Sequence, residues 1–403
     1  MYKRNTRDQK FVTVGYLVVI ILLFNSLAAC NPVTATPPPP TTVPPVDTVE
    51  APTGTIPTVA VPTSPSGDIN SWLKIYFTNP NPPDQVGTGI DQYVVDKVNN
   101  AQKTIDVTSF DLNLPSFVDA LVAAAQRGVQ IRVVYDGKNG NQTLAAAQSP
   151  TGSDYNAVQV MQDAGIQLVD DGRSAGLMHN KIIIIDSQIL FMGSWNMSYN
   201  DTYRNNNNLL EITNLTLVAN YQAKFNELFV DKRFGTHATV GAIVPELTIG
   251  TTPVLNYFSP VDNVMSHLVE LVNSAETSVR FMIFTYTHQD LADAMISRFQ
   301  AGVDVAGVIE NRGATQGALI PLACAKVPVK VDGNKYTMHH KVIVIDQSIV
   351  ITGSFNFTKS ADTQNDDNVL IIYDPSVAKQ YLDEYNRVDA LAAAPDPSKI
   401  TCP

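Results

Sequence analysis

Cysteine is scarce in this sequence, three among 403 residues, which excludes a disulfide-framework fold and a cysteine-built zinc site. No H-E-x-x-H, C-x-x-C or Walker-type G-x-x-x-x-G-K-[ST] run occurs, so nothing signals zincin, dithiol or P-loop chemistry. The apolar run from Phe11 to Phe24 is about 14 residues long, short of the roughly 20 that cross a bilayer as a helix. Basic residues are also few, 27 against 38 acids, for a net charge of −11. This weighs against a general polyanion binder, whose affinity comes from Lys and Arg neutralising phosphates. A local basic cleft on an acidic protein stays open.

What is present begins with a leader. Lys3, Arg4, Arg7 and Lys10 precede the apolar run, and small residues follow it, the layout of a secretory signal. Leu27-Ala28-Ala29-Cys30 resembles the lipobox of bacterial lipoproteins, which implies cleavage before Cys30, lipidation of that cysteine and an extracytoplasmic, membrane-tethered protein in a bacterial cell envelope. An ordinary signal peptide or uncleaved anchor is the alternative. Loss of residues 1–29 removes four basic residues and one acid, leaving the remainder more acidic still. Residues 30–68 are rich in Pro and Thr with little charge and predict an extended linker without a core. Cys324 and Cys402 would be able to pair in an oxidising compartment; two unpaired thiols, one buried, fit the sequence equally well.

The folded part carries an internal repeat. Val94 to Ala101 resembles Leu268 to Ala275, amphipathic and helical in both places, and β-rich runs follow at Thr104 to Phe110 and Ser278 to Phe284. Helical patterns at Pro115 to Arg127 and Gln289 to Ala301 each end at a glycine, Gly128 and Gly302, which suits a helix C-terminus. Strands Val129 to Tyr135 and Val303 to Ile309 come next, ending at Asp136 and Glu310. Strand, helix, strand predicts an α/β fold with a parallel or mixed sheet flanked by helices. The repeats divide the folded part into residues 69–235 and 236–395. The first copy has 14 extra residues between Gly137 and Met178, read as partly loop and as either a substrate rim or decoration.

Within the repeat, Met178-His179-Asn180-Lys181 leads into Ile182 to Ile185 and Asp186, then Gly193-Ser194-Trp195-Asn196. The second copy reads Met338-His339-His340-Lys341, Val342 to Ile345 and Asp346, then Gly353-Ser354-Phe355-Asn356. Residues two apart on a strand share a face, so each histidine projects with its lysine. If the strand continues unbroken, Asp186 and Asp346 fall at the opposite parity and are expected to support the fold rather than touch substrate. Histidine can attack phosphorus or protonate a leaving oxygen, lysine supplies fixed positive charge, and Ser and Asn donate hydrogen bonds. One His-x-Lys is half of such a site; two brought together complete it. A duplication kept for structure alone would not explain polar His and Lys interrupting an apolar strand twice.

These residues resemble the paired motifs of the phospholipase D superfamily, over nearly all of residues 70–395. The resemblance implies two fused, pseudo-two-fold related α/β units, each a mixed β-sheet flanked by helices. It further implies a two-step reaction through a phosphohistidine that needs no metal or other cofactor. Carried over residue by residue, it makes His179, Lys181, His339 and Lys341 catalytic, with Ser194, Asn196, Ser354 and Asn356 binding or supporting the phosphate. Asn208 and Asn368 match the acid-then-Asn end of the motif. The acid is Asp367 in the second copy but Asn207 in the first, a departure that predicts two histidines of unequal basicity. If Asp367 pairs with His339, that histidine is the more basic; which of the two attacks stays open.

The substrates implied are a glycerophospholipid head group, for a phospholipase D-type hydrolase, or nucleic acid, for an extracytoplasmic endonuclease. Cardiolipin synthase-like transfer to an alcohol is a third outcome of the same intermediate. A scaffold with no activity is the non-enzymatic reading, and no protein partner is implied. Phe110, Phe284 and Tyr286 read as core or cleft wall. The vicinal pair His339-His340 does not have the spacing of a chelating motif, and the Asn-rich segments 205–208 and 365–368 belong to the motif rather than to a Ca²⁺ loop.

Overall fold

Val94 and Val98 lie one helical turn apart and are fully buried, so the first amphipathic pattern can only pack as a helix against a sheet. The computed structural model describes residues 71–80, 89–149 and 151–402; the leader, Cys30 and the Pro/Thr-rich linker lie outside the described residues. The first repeat runs β1 (Leu73–Phe77), α1 (Asp91–Asn100), β2 (Thr104–Ser109), α2 (Pro115–Gln126) and β3 (Gln130–Tyr135). It continues with β4 (Thr143–Leu144), β5 (Tyr155–Asn156), α3 (Ala157–Asp163), β6 (Gln167–Asp170), β7 (Ile182–Ile185), β8 (Ile189–Gly193), α4 (Tyr199–Tyr203), β9 (Asn208–Ile212) and α5 (Leu215–Asn226).

The second repeat runs β10 (Glu246–Ile249), β11 (Thr252–Ser259), α6 (Val264–Asn273), β12 (Ser278–Ile283), α7 (Gln289–Gln300) and β13 (Asp304–Ile309). Then come α8 (Leu319–Cys324), β14 (Val329–Val331), β15 (Lys341–Ile345), β16 (Ile349–Gly353), α9 (Lys359–Thr363), β17 (Asp367–Tyr373) and α10 (Pro375–Asp389).

Each repeat makes one mixed sheet, β1-β9-β8-β7-β2-β3-β6 in the first and β10-β11-β17-β16-β15-β12-β13-β14 in the second. The β-α-β crossovers pair β2 with β3 and β12 with β13 in parallel, while the motif strands β7 and β15 join β2 and β12 antiparallel. Strand alternation then builds three cores. Ile183 and Ile185 point to the outer core of the first sheet, under α1 and α2, and Ile343 and Ile345 to the outer core of the second. Ile182 and Ile184 meet Val342 and Val344 in a central core with Tyr221 of α5 and Tyr381 of α10. Both faces of each motif strand are therefore buried, which is why these strands read as unbroken apolar runs.

The extra residues of the first repeat are not structureless. They form the short β4–β5 ribbon and lead into α3, whose place between the parallel strands α8 takes in the second repeat. The Tyr155 hydroxyl donates to Asp119 on α2 at 3.2 Å, fixing the insertion against the outer helix. Cys324, at the end of α8, is bonded to Cys402, resolving the two readings of these thiols in favour of a bridge.

Candidate active site

The central core ends where the two motif strands begin. His179 N donates to Asp366 O at 3.0 Å, and His339 N donates to Asn206 O at 2.9 Å, so each motif is stitched to the other repeat one residue before β17 and near the start of β9. The amide of each preceding methionine donates to the acid ending a parallel strand, Met178 to Asp136 at 3.2 Å and Met338 to Glu310 at 2.7 Å. The sequence shows both strands ending in an acid but carries no sign of this role.

The side chains repeat the crossing. His179 Nδ1 donates to Asp367 Oδ1 at 2.6 Å, and His339 Nδ1 donates to Asn207 Oδ1 at 2.8 Å. Asp367 thus belongs to His179 and not to His339, which corrects the expectation that His339 is the better supported histidine. The cause is topological: the acid follows the second motif in sequence, but β17 delivers it beneath the first. The serines hold these partners in place, Ser194 Oγ donating to Asn207 Oδ1 at 2.9 Å and Ser354 Oγ to Asp367 Oδ1 at 2.6 Å. Both serines are fully buried, so they act on the residues that orient the histidines.

Gly193 and Gly353 adopt φ of 146° and 147°. A Cβ at either would strike the carbonyl oxygen of Asn208 or Asn368, so only glycine lets β8 and β16 turn here. The Ser194 and Ser354 amides donate to those same carbonyls at 3.1 Å. At the middle position of each motif, Asn180 accepts from Asn368 Nδ2 at 2.7 Å, and His340 contacts Glu384 at 2.8 Å through Nε2. His340 is thereby held within the wall; the sequence offers no partner for it, since Glu384 comes from the distant α10.

Lys181 and Lys341 are each 1 % exposed and donate to the carbonyl of their own histidine at 2.8 and 2.7 Å. Among the described residues neither ammonium has a carboxylate at ion-pair distance. Burial lowers the Lys181 ammonium to about 8 against the pull of Asp367, Asp201, Asp111 and Asp136. Burial and then Lys181 push Lys341 well below the usual lysine range. Each ammonium sits over a phenylalanine, Lys181 5.2 Å from the Phe110 ring centre and Lys341 4.7 Å from that of Phe284. The same rings meet His179 and His339 edge-on at 5.0 and 4.7 Å, whereas Tyr286 is core.

Burial lowers His179, with Lys181 and Lys341 adding to the effect and Asp367 opposing it. For His339 burial, Lys341 and Lys181 act together and take it well below the histidine range. Burial would raise Asp367, but His179, Lys181 and the Ser354 hydroxyl hold it below its ordinary value. Asn196 Oδ1, Asn356 Oδ1 and Asp367 Oδ2 are buried and find no hydrogen-bond partner among the described residues, as acceptors held open for a donor would.

Asp186 and Asp346 lie at the far ends of the strands, about 15 Å along the chain from the lysines. Their backbones are left-handed, φ 54° and 49°, so the strands do not continue through them. Asp186 accepts from the amides of Gln102, Lys103 and Thr104 at 2.9, 2.7 and 2.9 Å. Asp346 accepts from Glu276, Thr277 and Ser278 at 2.9, 2.7 and 2.9 Å.

A pair of His-x-Lys strands crossed in this way, each histidine oriented from the opposite repeat, corresponds to a family whose model, described as cardiolipin synthase, PLD-like domain, matches residues 94–229 and 268–388. The chain belongs to the phospholipase D superfamily. A mitochondrial cardiolipin hydrolase from Xenopus tropicalis is 34% identical over 129 residues, 32% of this chain and 61% of that one. A phospholipase D from Rickettsia prowazekii (strain Madrid E) is 34% identical over 130 residues, 32% of this chain and 63% of that one. The chain thus spans just over three fifths of the length of these two curated relatives. The phosphatidylserine synthase of Haemophilus influenzae Rd KW20 superposes with a TM-score of 0.58 at 12% identity, covering 80% of this chain and 87% of that one; at that identity it shows the shared two-unit fold. No group of His, Cys, Asp and Glu among the described residues is arranged to hold a metal ion.

Proposed function

We propose that the chain is a phosphodiesterase that hydrolyses a glycerophospholipid in the manner of phospholipase D, through a phosphohistidine and with positive charge supplied by lysine. The observation that carries this is the buried pair Lys181 and Lys341, neither with a carboxylate at ion-pair distance among the described residues, beside two histidines whose Nδ1 atoms are both taken up. Two buried ammoniums are costly unless an anion joins them, and a phosphodiester supplies that anion while presenting phosphorus to the Nε2 atoms.

The carboxylate at 2.6 Å favours His179 as nucleophile. Attack by Nε2 on phosphorus leaves a phosphorylated imidazolium that keeps its Nδ1 proton, and Asp367 stabilises that charge. The bond from phosphorus to the head-group oxygen breaks, and His339 gives that oxygen its proton. In the second step His339 takes a proton from water, the water oxygen attacks phosphorus, and the bond to His179 breaks to release phosphatidic acid.

The lipid reading draws on the cardiolipin hydrolase and phospholipase D named among the relatives and on the net charge of −11. Lipidation at Cys30 and an extracytoplasmic location belong to the same proposal; the Cys324–Cys402 bridge supports an oxidising compartment.

The test is hydrolysis by the full-length chain, in EDTA, of phosphatidylcholine, cardiolipin, and single- and double-stranded DNA. Release of a lipid head group with DNA left intact supports the proposal. Cleavage of DNA alone replaces it with the endonuclease reading, and glycerol-dependent formation of a new phosphodiester with the transferase reading.

A further inference from the structure

In the first repeat Asn207 stands where the second repeat has Asp367, and that loss is matched by a gain. Five residues beyond Asn196 lies Asp201; five beyond Asn356 lies Ala361. Asp201 is buried on α4, and its Oδ2 lies 3.5 Å from Nδ1 of His339. That ring nitrogen therefore faces two acceptors, the Asn207 amide oxygen at 2.8 Å and the Asp201 carboxylate.

Resting on the phosphodiesterase reading, we infer that Asp201 is the displaced carboxylate of the first repeat, a positioning residue that lets His339 carry the proton it delivers to the leaving oxygen. Asp367 gives His179 both a hydrogen bond and a negative charge. For His339 the two are divided: Asn207 accepts the bond and Asp201 supplies the charge.

A purely structural account of Asp201 meets an internal control. Its carboxylate also accepts from the Asn196 amide at 2.9 Å and from Asn196 Nδ2 at 2.6 Å, which could be read as bracing the α4 turn. The second repeat builds the same turn without an acid: α9 starts at a Thr358 cap as α4 starts at a Ser198 cap, with Ala361 buried inside it. The turn folds with alanine there, so the carboxylate answers to its surroundings.

Those surroundings are cationic. His339 is faced by Lys341 from its own strand, by Lys181 and His179 from the first motif, and by His340 beside it. All of these drive a proton off the ring. Asp111, held near Asp201 and Lys181, and Glu310, which accepts from the Met338 amide at 2.7 Å, are further acids nearby. A carboxylate within ion-pair reach is what allows an imidazole so placed to be doubly protonated when the alcohol departs.

The test combines histidine-ring NMR titration with turnover of bis(p-nitrophenyl) phosphate, both on the full-length chain. Asp201→Asn should lower the titration midpoint of His339 by roughly one pH unit or more while leaving His179 in place, and should lower kcat by about tenfold or more. The double variant D201N/N207D, which moves the acid to the position of the second repeat, should recover both. A His339 midpoint indifferent to Asp201→Asn, or a kcat loss that Asn207→Asp does not recover, overturns the inference. Asp201→Ala, which copies the alanine the second repeat carries at Ala361, serves if the asparagine variant does not fold. A wild-type chain that cleaves no phosphodiester defeats the phosphodiesterase reading, while the titration still decides the placement of charge.

Discussion

Asp367 Oδ1 lies 2.6 Å from Nδ1 of His179, a residue 188 positions earlier in the chain and in the other repeat. The half-site of each motif is thus completed by its twin. Asp367→Asn keeps the shape of the side chain but removes its charge, and should cost about 10²- to 10³-fold in kcat on bis(p-nitrophenyl) phosphate. Asn207→Ala should cost less, because Asp201 remains. Steady-state kinetics with circular dichroism as a check on folding decides between the two.

The pH dependence follows from the buried lysines. Lys181, lowered by burial to about 8, is charged below that pH and neutral above it. Its positive charge holds the anionic substrate, so kcat/KM should fall as pH rises through about 8. Because a bound phosphate favours the charged ammonium, kcat should hold to higher pH than kcat/KM. A kcat/KM profile flat to about pH 10, the ordinary lysine range, would remove Lys181 from the phosphate site.

Much of this was legible in the sequence, and the missing parts share a cause. Val94 and Val98 at helical spacing, Ile182 to Ile185 as a continuous apolar run, and glycines after α2 and α7 marked out the elements, because each is a local pattern answering to one buried face. His179 with Lys181 was legible because residues two apart in extended chain share a side, although the structure places both just ahead of β7 rather than on it. The owner of Asp367 was not, because a repeat alignment places the acid equally well under its own histidine or its twin's, and only the packing of β17 against the first motif decides. Asp201 was hidden because Ala361 stands opposite it, so the repeat offered no match. Glu384 came from α10, which has no counterpart motif.

The third residue of the motif carries a separate prediction. Partial burial would raise the Asp186 carboxyl, but the amides of Thr104, Gln102 and Lys103 hold it below the ordinary carboxylate range. Its contribution to stability is therefore present above the ordinary aspartate value of 3.8 and lost as pH falls through the lower folded value. Asp186→Ala should lower the midpoint of thermal unfolding at neutral pH, with kcat of the folded fraction within about twofold of wild type, and the difference should shrink on acidification. A collapse of kcat at unchanged stability would place Asp186 in the chemistry instead.

The bridge between Cys324 and Cys402 closes 78 residues of chain, a loop length for which cross-linking contributes about 4.5 kcal/mol by chain entropy. Cys402→Ser should lower thermal stability accordingly and leave turnover at temperatures below unfolding unchanged, as read by calorimetry beside the kinetic assay.

The central claim is that two histidines from two repeats form one phosphodiester site, and its most direct measurement is acid-stable and acid-labile phosphate on the protein after a rapid quench with a ³²P-labelled phosphodiester in EDTA. The account predicts acid-labile label on His179 in the wild-type chain, none in His179→Ala, and loss of turnover in both His179→Ala and His339→Ala. Turnover that survives either substitution, or label found on a residue outside the two motifs, would contradict it.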